Sequence, residues 1–380
     1  MTKSKLLILV LLSLFTAGSL FSQKEYNLHE LNVYEDEAGR YIFRKTGKRQ
    51  HLLNGTHKII YNNQHEYFVA AFINGMLDGQ YHSYKNQQLE LTVYYKDGFK
   101  NGAFKRYTRF GDLASEGTFI NDKMHGLTTT YYYTGQIEST YHYKEGKLHG
   151  VCKTYTDEGQ LKSEQEYTDG LEDGIERRYS EETGALTLSC HYKNGWKEGK
   201  QFSLRKGLNG EYTEESFYVE GKLEGEYQET YINGQLRTKG VYKNGKKEGK
   251  WFLYAGNGII VHEQNFINDK KEGVQKYYYP DGSLEAIANY VNGQQEGSSN
   301  EFYIGSGMLK AEYIYVDGIK EGRYKRYHDN GKLSEEGHIE SDHEVYSKEY
   351  DREGKLELIR ERKADGSWDI LEQYGTTGNN

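Results

Sequence analysis

A phrase of about 24 residues recurs along most of the chain, and this repeat constrains the possible folds more than any other feature. One copy reads Tyr242-Lys-Asn-Gly245-Lys-Lys-Glu-Gly249-Lys-Trp251. We call the second glycine of the phrase, here Gly249, the origin glycine. Successive origin glycines lie 23 to 26 residues apart, so the chain is built from tandem copies of one small unit. The eleven origin glycines, which we predict to be structural turn residues, are Gly79, Gly102, Gly126, Gly150, Gly174, Gly199, Gly225, Gly249, Gly273, Gly297 and Gly322.

Fixed positions within the repeat indicate β-hairpins. The residue four before the origin is Gly in nine repeats and Asp122 or Asp269 in the other two, and Asn, Asp or Glu always precedes it. Asn-Gly and Asp-Gly favour tight primed turns, whose central residues need positive φ. The residue seven before the origin is always Tyr or Phe, and the residue five after it is aromatic in nine repeats. The runs between turns have the length of strands.

These observations predict an all-β fold, an elongated single-layer antiparallel meander of tandem β-hairpin repeats. Equivalent residues of successive repeats then face the same side, so the aromatic columns stack along one face of the sheet. About 24 strands spaced by about 4.8 Å would extend roughly 110 Å before twist.

The composition agrees with a thin sheet. The chain has 37 Tyr and 44 Gly but one Pro in 380 residues, and only 36% of its residues are apolar. A thick aliphatic core needs nearer half, whereas a disordered chain lacks the 14% of aromatic residues found here. The net charge of −8 argues against nucleic acid as a partner, because phosphates require a basic surface.

The sequence also predicts the boundaries of the array. Residues 1–22 have two early lysines, a short apolar run and small residues, which together indicate a secretory signal peptide. We therefore expect a periplasmic or extracellular protein with no transmembrane segment after signal removal. Residues 23–54 are predicted to form an N-terminal cap, 55–338 the repeat array, 339–371 a degenerate C-terminal repeat or cap, and 372–380 a frayed tail. No Pro- or Ser-rich linker suggests a second domain.

No catalytic motif is present, and we expect neither an enzyme nor a cofactor or metal site. Gly245-Lys-Lys-Glu-Gly249-Lys250 is one residue too short for a phosphate-binding loop. The residue before the origin glycine is acidic in eight repeats, but equivalent residues two strands apart are about 9–10 Å distant, too far to share one ion. We interpret this column as a solvated turn face. Cys152 and Cys190 are three strand spacings apart in the predicted register, so we expect two free, partly packed thiols.

Less regular aromatic positions are the candidates for contact with a partner. The invariant aromatic column is expected to form the core of the sheet, while aromatic residues two after the origin occur in only some repeats. Aromatic side chains are enriched at interfaces. The predicted contact residues are Trp251, Trp196, Tyr81, Phe104, Tyr227 and Tyr324.

The phrase resembles the MORN-repeat family, whose unit is close to Tyr-x-Asn-Gly-Lys-x-x-Gly-x. Across roughly residues 39–357 the chain looks most like bacterial MORN-variant repeat proteins of the YwqK-type antitoxin-like group. The usual motif has a further Gly two after the origin, where this sequence has Tyr81, Phe104, Tyr227, Trp251, Tyr324 or a polar residue, as is typical of the variant form. The resemblance implies a β-hairpin array that acts as a binding or scaffolding surface, and the antitoxin name implies neutralisation of a toxin.

The sequence therefore predicts an exported, non-enzymatic repeat scaffold that binds a protein or cell-envelope partner across an aromatic-rich sheet face. Two alternatives remain open at this point: a glycan- or peptidoglycan-binding module that uses exposed aromatic rings, and an antitoxin-like protein that neutralises a toxin partner.

Overall fold

The computed structural model describes residues 24–62, 65–208 and 210–374. The predicted signal peptide, 1–22, lies outside the described residues, as do 375–380 of the predicted frayed tail. The chain divides into two compact units, one up to Leu171 and one from Glu172. The boundary between the units lies at the start of the strand Leu171–Tyr179, so the units are not separated by a linker segment.

Among its described residues, the first unit contains β-strands and one short 3-10 helix, Leu28–Glu30. Its strands, β1 to β15, are Lys24–Asn27, Leu31–Glu35, Tyr41–Lys45, Gly55–Asn62, Glu66–Ile73, Met76–Lys85, Gln88–Lys96, Phe99–Tyr107, Leu113–Ile120, Lys123–Met124, Gly126–Tyr131, Ile137–Lys144, Lys147–Leu148, Gly150–Tyr155 and Leu161–Thr168.

Among the described residues of the second unit, the regular secondary structure consists of β-strands. These strands, β16 to β36, are Leu171–Tyr179, Leu186–Lys193, Trp196–Lys197, Gly199–Gly207, Gly210–Val219, Lys222–Leu223, Gly225–Tyr231, Leu236–Lys243, Lys246–Tyr254, Ile260–Ile267, Lys270–Lys271, Gly273–Tyr278, Leu284–Val291, Gln294–Phe302, Leu309–Val316, Ile319–Lys320, Gly322–Tyr327, Leu333–Glu340, His343–Tyr350, Leu356–Arg362 and Trp368–Gln373. The last strand reaches Gln373, so 372 and 373, predicted to be frayed, are part of a strand.

The all-β hairpin fold predicted from the repeat is confirmed. From Gly55 onward, the strands within a unit pair antiparallel with strands next to them or one further along in sequence. The exception to the antiparallel pattern is Lys24–Asn27, which pairs parallel with Gly55–Asn62. Leu31–Glu35 and Tyr41–Lys45 form a separate hairpin. Phe43 of that hairpin packs against Phe72 of the sheet, with ring centroids 5.1 Å apart.

Each repeat reverses direction at a two-residue turn with the geometry that the Asn-Gly signal predicts. In the second unit, Asn244 has φ 53° and Gly245 has φ 81°, so both central residues are left-handed. Both central residues are left-handed again at Asn292, with φ 53°, and Gly293, with φ 90°. The other end of the repeat closes with a longer turn, in which the amide of Ala255 donates to the carbonyl of Ile259 at 2.8 Å.

The origin glycines do not lie in these turns, contrary to the sequence prediction. Gly249 lies inside the strand Lys246–Tyr254, where the pairing register shifts by two residues: Val241 is opposite Glu248, but Lys239 is opposite Phe252. The extra residues form a bulge, and Gly249 adopts φ 65° there. All eleven origin glycines have positive φ, which explains why the position favours glycine.

Each turn is fastened to the repeat before it by hydrogen bonds. The amide of Gly245 donates to the carbonyl of Leu223 at 2.8 Å, and the amide of Asn244 donates to the carboxylate of Glu224 at 2.7 Å. The carboxylate contact recurs at these donor and acceptor pairs: Asp97 and Asp78, Glu220 and Glu198, Asn268 and Glu248, Asn292 and Glu272, Asp317 and Glu296, Ser341 and Glu321. The acidic column that the sequence suggested was a solvated face therefore connects consecutive repeats.

Aspartate replaces glycine in some turns because its side chain adds a further bond to the preceding repeat. The carboxylate of Asp269 accepts the amide of Lys247 at 2.7 Å. Asp122 accepts the amide of Lys100 at 2.8 Å, and Asp342 accepts that of Lys320 at 2.8 Å. A left-handed conformation costs Asp less than most residues, so this bond can offset the strain.

We predict that replacing Glu224 with alanine destabilises the second unit by about 1 kcal/mol, because the amide of Asn244 loses its acceptor. Glu226→Ala is the matched control, since Glu226 is exposed and lies two residues further on, in the strand Gly225–Tyr231, and it should change the free energy of unfolding by less than about 0.5 kcal/mol. Urea unfolding followed by tryptophan fluorescence measures both. Equal effects would contradict the structural role of the carboxylate.

Candidate binding face

One face of the sheet carries the aromatic rings, and we call it the aromatic face. In the second unit, the rings of Tyr227, Tyr242 and Trp251 contact one another, with centroids 5.0–5.5 Å apart. In the first unit, Phe104 and Phe119 lie 4.9 Å apart. Rings from adjacent strands thus bury one another, as the aromatic columns predicted.

Of the six aromatic residues predicted to contact a partner, three are buried and two are half-buried on this face. Trp251, Phe104 and Tyr324 retain 4%, 6% and 2% of their exposure. Tyr81 stacks on Phe68 at 5.0 Å, and Tyr227 is half-buried against Trp251. The position two after the origin is one of the most buried in the repeat, because the bulge at the origin glycine turns it inward. Trp196 is the exception, with 64% of its surface exposed.

Glycines opposite three of these rings provide the space for them, a feature that the sequence analysis missed. Trp251 lies over Gly240, where an added Cβ would come within 2.2 Å of the indole ring. Phe104 lies over Gly117 in the same way, and Tyr324 over Gly337. Gly240 and Gly117 each stand nine residues before an origin glycine. Gly337 stands nine residues before Tyr346, which lies 24 residues after the last origin glycine. This shared spacing could have identified the three glycines from the sequence. They are required for space, since their φ values are not left-handed.

Lysines also cover the rings, from the same strand or from the neighbouring repeat. The ammonium of Lys247 lies 4.3 Å from the centroid of Trp251 and 5.2 Å from that of Phe266. Lys271 lies 4.9 Å from the centroid of Tyr290, and Lys197 lies 5.1 Å from that of Tyr218. These cation–π contacts place an alkyl chain over each ring and the charge at its face.

One cluster of polar groups on the aromatic face is paired internally. Arg326 donates to Glu335 at 2.6 Å and to the hydroxyl of Tyr313 at 3.1 Å, and it also contacts Glu344. The hydroxyl of Tyr324 donates to Glu335 at 2.7 Å. Burial, reinforced by Glu335, raises the pKa of Tyr324 above its ordinary value. This cluster therefore connects neighbouring strands through its own polar groups.

The two cysteines are free and buried, as predicted. Burial raises the pKa of both thiols, which keeps them protonated and poorly nucleophilic. In the described part of the chain, no three His, Cys, Asp or Glu side chains are grouped closely enough to hold a metal ion. The turn amide of Asp169 donates to Nδ1 of His149 at 3.5 Å. None of the described residues form a helix long and apolar enough to span a membrane.

The opposite face of the sheet presents apolar side chains to solvent. Along the strand Gly210–Val219, Ser216 is buried and Tyr218 half-buried on the aromatic face, whereas Phe217 and Val219 are exposed. The pattern repeats on Leu309–Val316. We call the exposed set of the second unit the apolar band; its members, each 40–50% exposed, are Phe217, Val219, Val241, Ile267, Val274, Val291, Ile314 and Val316.

The apolar band, rather than the aromatic face, is the candidate binding surface. Single exposed apolar residues are ordinary. Here three outward-facing positions of the repeat supply at least one exposed apolar residue in each of five consecutive repeats, and monomers rarely expose large apolar surfaces. The first unit presents apolar residues at equivalent positions, namely Ile73, Tyr94, Ile120, Leu127 and Val151.

We predict that Gly240→Ala destabilises the protein by about 2 kcal/mol, because the new methyl group overlaps the ring of Trp251. Gly256→Ala is the control, since Gly256 is exposed, has nothing within 4 Å of an added Cβ and lacks a left-handed φ. It should change stability by less than about 0.5 kcal/mol. Urea unfolding measures the difference, and a Gly240→Ala midpoint equal to that of the control would show that Trp251 does not need this space.

We also predict that stability falls in alkaline solution. Burial raises the pKa of Tyr95 and of Tyr315 to about 12, whereas an unfolded tyrosine ionises near about 10. The neutral form is favoured in the folded state, so the stabilisation is complete below about pH 10 and is lost as the pH rises towards 12.

Urea midpoints between pH 8 and 11.5, with tyrosinate absorbance at 295 nm, test this expectation. Tyr95→Phe should reduce the alkaline loss, and Tyr133→Phe should not, because Tyr133 is 81% exposed. A midpoint that stays constant across the range would contradict the buried state of these hydroxyls.

Comparison with known proteins gives a match at the level of the repeat. Residues 124–145, 148–169, 271–292 and 320–340 match the family model described as MORN repeat variant. No curated protein matches. Solved structures that match include the crystal structures titled TcdB2-TccC3-Cdc42 and TcdB2-TccC3-TEV, both at 10% identity, and TcdB2-TccC3 without its hypervariable C-terminal region, at 12%.

The TM-scores of these structures are 0.16, 0.15 and 0.15. The matches cover 90%, 89% and 89% of this chain but 23%, 22% and 20% of the others, so the chain spans a quarter or less of the length of the structures it matches. The matched family model shows that MORN-variant repeats occur at four places in the chain, which is therefore a repeat scaffold.

Proposed function

We propose that the chain is an exported, non-enzymatic scaffold that binds a protein or cell-envelope partner through the face opposite its aromatic rings. The observation that carries the proposal is the apolar band of the second unit, in which side chains from consecutive hairpins remain 40–50% exposed. The sequence suggested the aromatic face as the binding surface, but its rings are occupied by contacts with one another.

The repetitive character of the band favours a macromolecular partner. Its members come from strands that follow one another in the sheet, so the exposed surface continues from hairpin to hairpin. A small ligand needs a concave pocket. An extended apolar surface bordered by polar residues instead matches the surface of another protein.

Export is the part of the proposal that depends on the sequence alone. The apolar run with preceding lysines in residues 1–22 supports it. The glycan-binding alternative loses support from Trp251, because its ring is 4% exposed; Trp196 is the remaining exposed tryptophan of the predicted contact set. No contact in the described residues favours the antitoxin alternative.

Replacement of four band residues tests the proposal: Val219→Thr, Ile267→Thr, Val291→Thr and Val316→Thr in one variant. Threonine keeps the β-branched shape and strand propensity while making the surface polar. The control carries Ile232→Thr and Ile304→Thr, since these residues are also exposed, at 62% and 59%, but stand outside the band.

Affinity capture from the native cell envelope with crosslinking, read by mass spectrometry, compares the two variants with the unaltered chain. We expect one set of partners to be captured by the unaltered chain and the control and to fall by about tenfold with the band variant. Identical capture by all three proteins would refute the assignment of the binding face.

A further inference from the structure

The two residues that flank each two-residue turn form an unusual stripe at one edge of the sheet. We call the twelve such residues at the six turns between Asn194 and Gly318 the turn rim: Lys193, Trp196, Val219, Lys222, Lys243, Lys246, Ile267, Lys270, Val291, Gln294, Val316 and Ile319. At the next turn, Ser341–Asp342, the flanking residues are Glu340 and His343, so the stripe of lysines and apolar residues ends before it. All twelve are exposed. Five are lysines, six are apolar and none is acidic, although the chain has 57 acidic and 49 basic residues. The rim includes four members of the apolar band, so the two surfaces are continuous.

The five rim lysines have no ion-pair partner among the described residues. Lysines nearer the middle of the sheet are paired: Lys200 lies 3.0 Å from Glu215, and Lys250 lies 3.1 Å from Glu263. Lys222, Lys246 and Lys270 make no comparable contact, even though their strands neighbour a column of glutamates. The rim therefore presents free ammonium groups beside exposed aliphatic side chains.

The nearby glutamates have hydrogen-bond partners of their own. Glu224, Glu248 and Glu272 each accept a turn amide of the following repeat. Glu220, Asp269 and Asp317 are the exposed acidic residues within the turns themselves. Asp269 accepts the amide of Lys247, and the amides of Glu220 and Asp317 donate to Glu198 and Glu296.

The positively charged residues of the rim are confined to its first part, whereas apolar residues occur along its whole length. All five lysines fall between Lys193 and Lys270, and the following positions are Val291, Gln294, Val316 and Ile319. Consecutive repeats are two strands apart, or about 9–10 Å, so a segment lying across the strands meets one flanking pair per repeat. A complementary segment would place carboxylates over the lysine part and aliphatic side chains over the remainder.

We propose that the turn rim of the second unit binds an acidic protein segment that also carries aliphatic side chains, laid across the strands. This inference rests on the proposed function and adds to it the chemistry of the partner. Carboxylates supplied by the segment would pair with the free ammonium groups, and its aliphatic side chains would cover Val219, Ile267 and their neighbours.

Selection from a displayed library of random 16-residue peptides, with the full chain as bait, tests the chemistry without assuming a sequence. The rim variant carries Lys222→Gln, Lys243→Gln, Lys246→Gln and Lys270→Gln. The matched control carries Lys200→Gln, Lys239→Gln, Lys250→Gln and Lys276→Gln, which also removes four positive charges but from the middle of the sheet. A further arm uses phosphatidylglycerol vesicles as the probe.

We expect enriched peptides to be acidic and to contain Val, Leu or Ile. Their Kd should rise by about tenfold or more with the rim variant and by less than about twofold with the control, since each lost ion pair contributes a fraction of a kcal/mol. Higher salt should weaken binding in the same direction.

Three outcomes would overturn the inference. Neutral or basic peptides, or acidic peptides that bind the rim variant as well as the unaltered chain, would refute it and leave the proposed binding function standing. Vesicle binding that depends on the rim lysines, without peptide enrichment, would assign the rim to lipid. Absence of enrichment in every arm would count against both this inference and the proposed function.

Discussion

The docking of each turn onto the preceding repeat is the interaction on which the rest of the structure depends. A β-hairpin alone is marginally stable, because its two strands bury little surface. Here the backbone amides of the turn, held at positive φ, reach a carbonyl and a carboxylate of the repeat before it. The turn thus closes its own hairpin and aligns it with the previous one, which brings the aromatic rings of successive strands into contact.

This arrangement leaves the two faces of the sheet with different roles: the aromatic face is packed, and the opposite face is exposed. On the aromatic face, rings, lysine stems and paired polar groups fill the space beside the sheet, so that Gln275 and Trp251 are almost wholly buried. On the opposite face, the side chains of the apolar band take no part in the hydrogen bonds that join each turn to the preceding repeat. Those positions can therefore vary with the partner while the repeat remains intact.

The sequence predicted the fold class because it is determined by local signals. Asn-Gly at a fixed spacing and alternating aromatics specify a hairpin within a few residues. The role of Gly249 could not be assigned in the same way, since positive φ is common to turns and bulges and the choice depends on pairing with the next strand. The sequence predicts Trp251 and Tyr324 as contact residues, whereas both are buried. Their burial depends on Gly240 and Gly337 of a neighbouring strand, which local patterns do not place beside them. The acidic column seemed solvated because its acceptor role requires the turn of the following repeat.

The carboxylate-to-turn contact also bears on how such a chain can change its length. Each junction uses one acceptor from the earlier repeat and backbone amides from the later one, and the same pair of groups recurs at Asn244 and Asn268. Excision or duplication of a segment that runs from one origin glycine to the next would therefore rejoin equivalent partners and leave no orphaned group. The number of repeats is in this sense an adjustable quantity, and gene duplication can extend the binding surface without redesign of its joints.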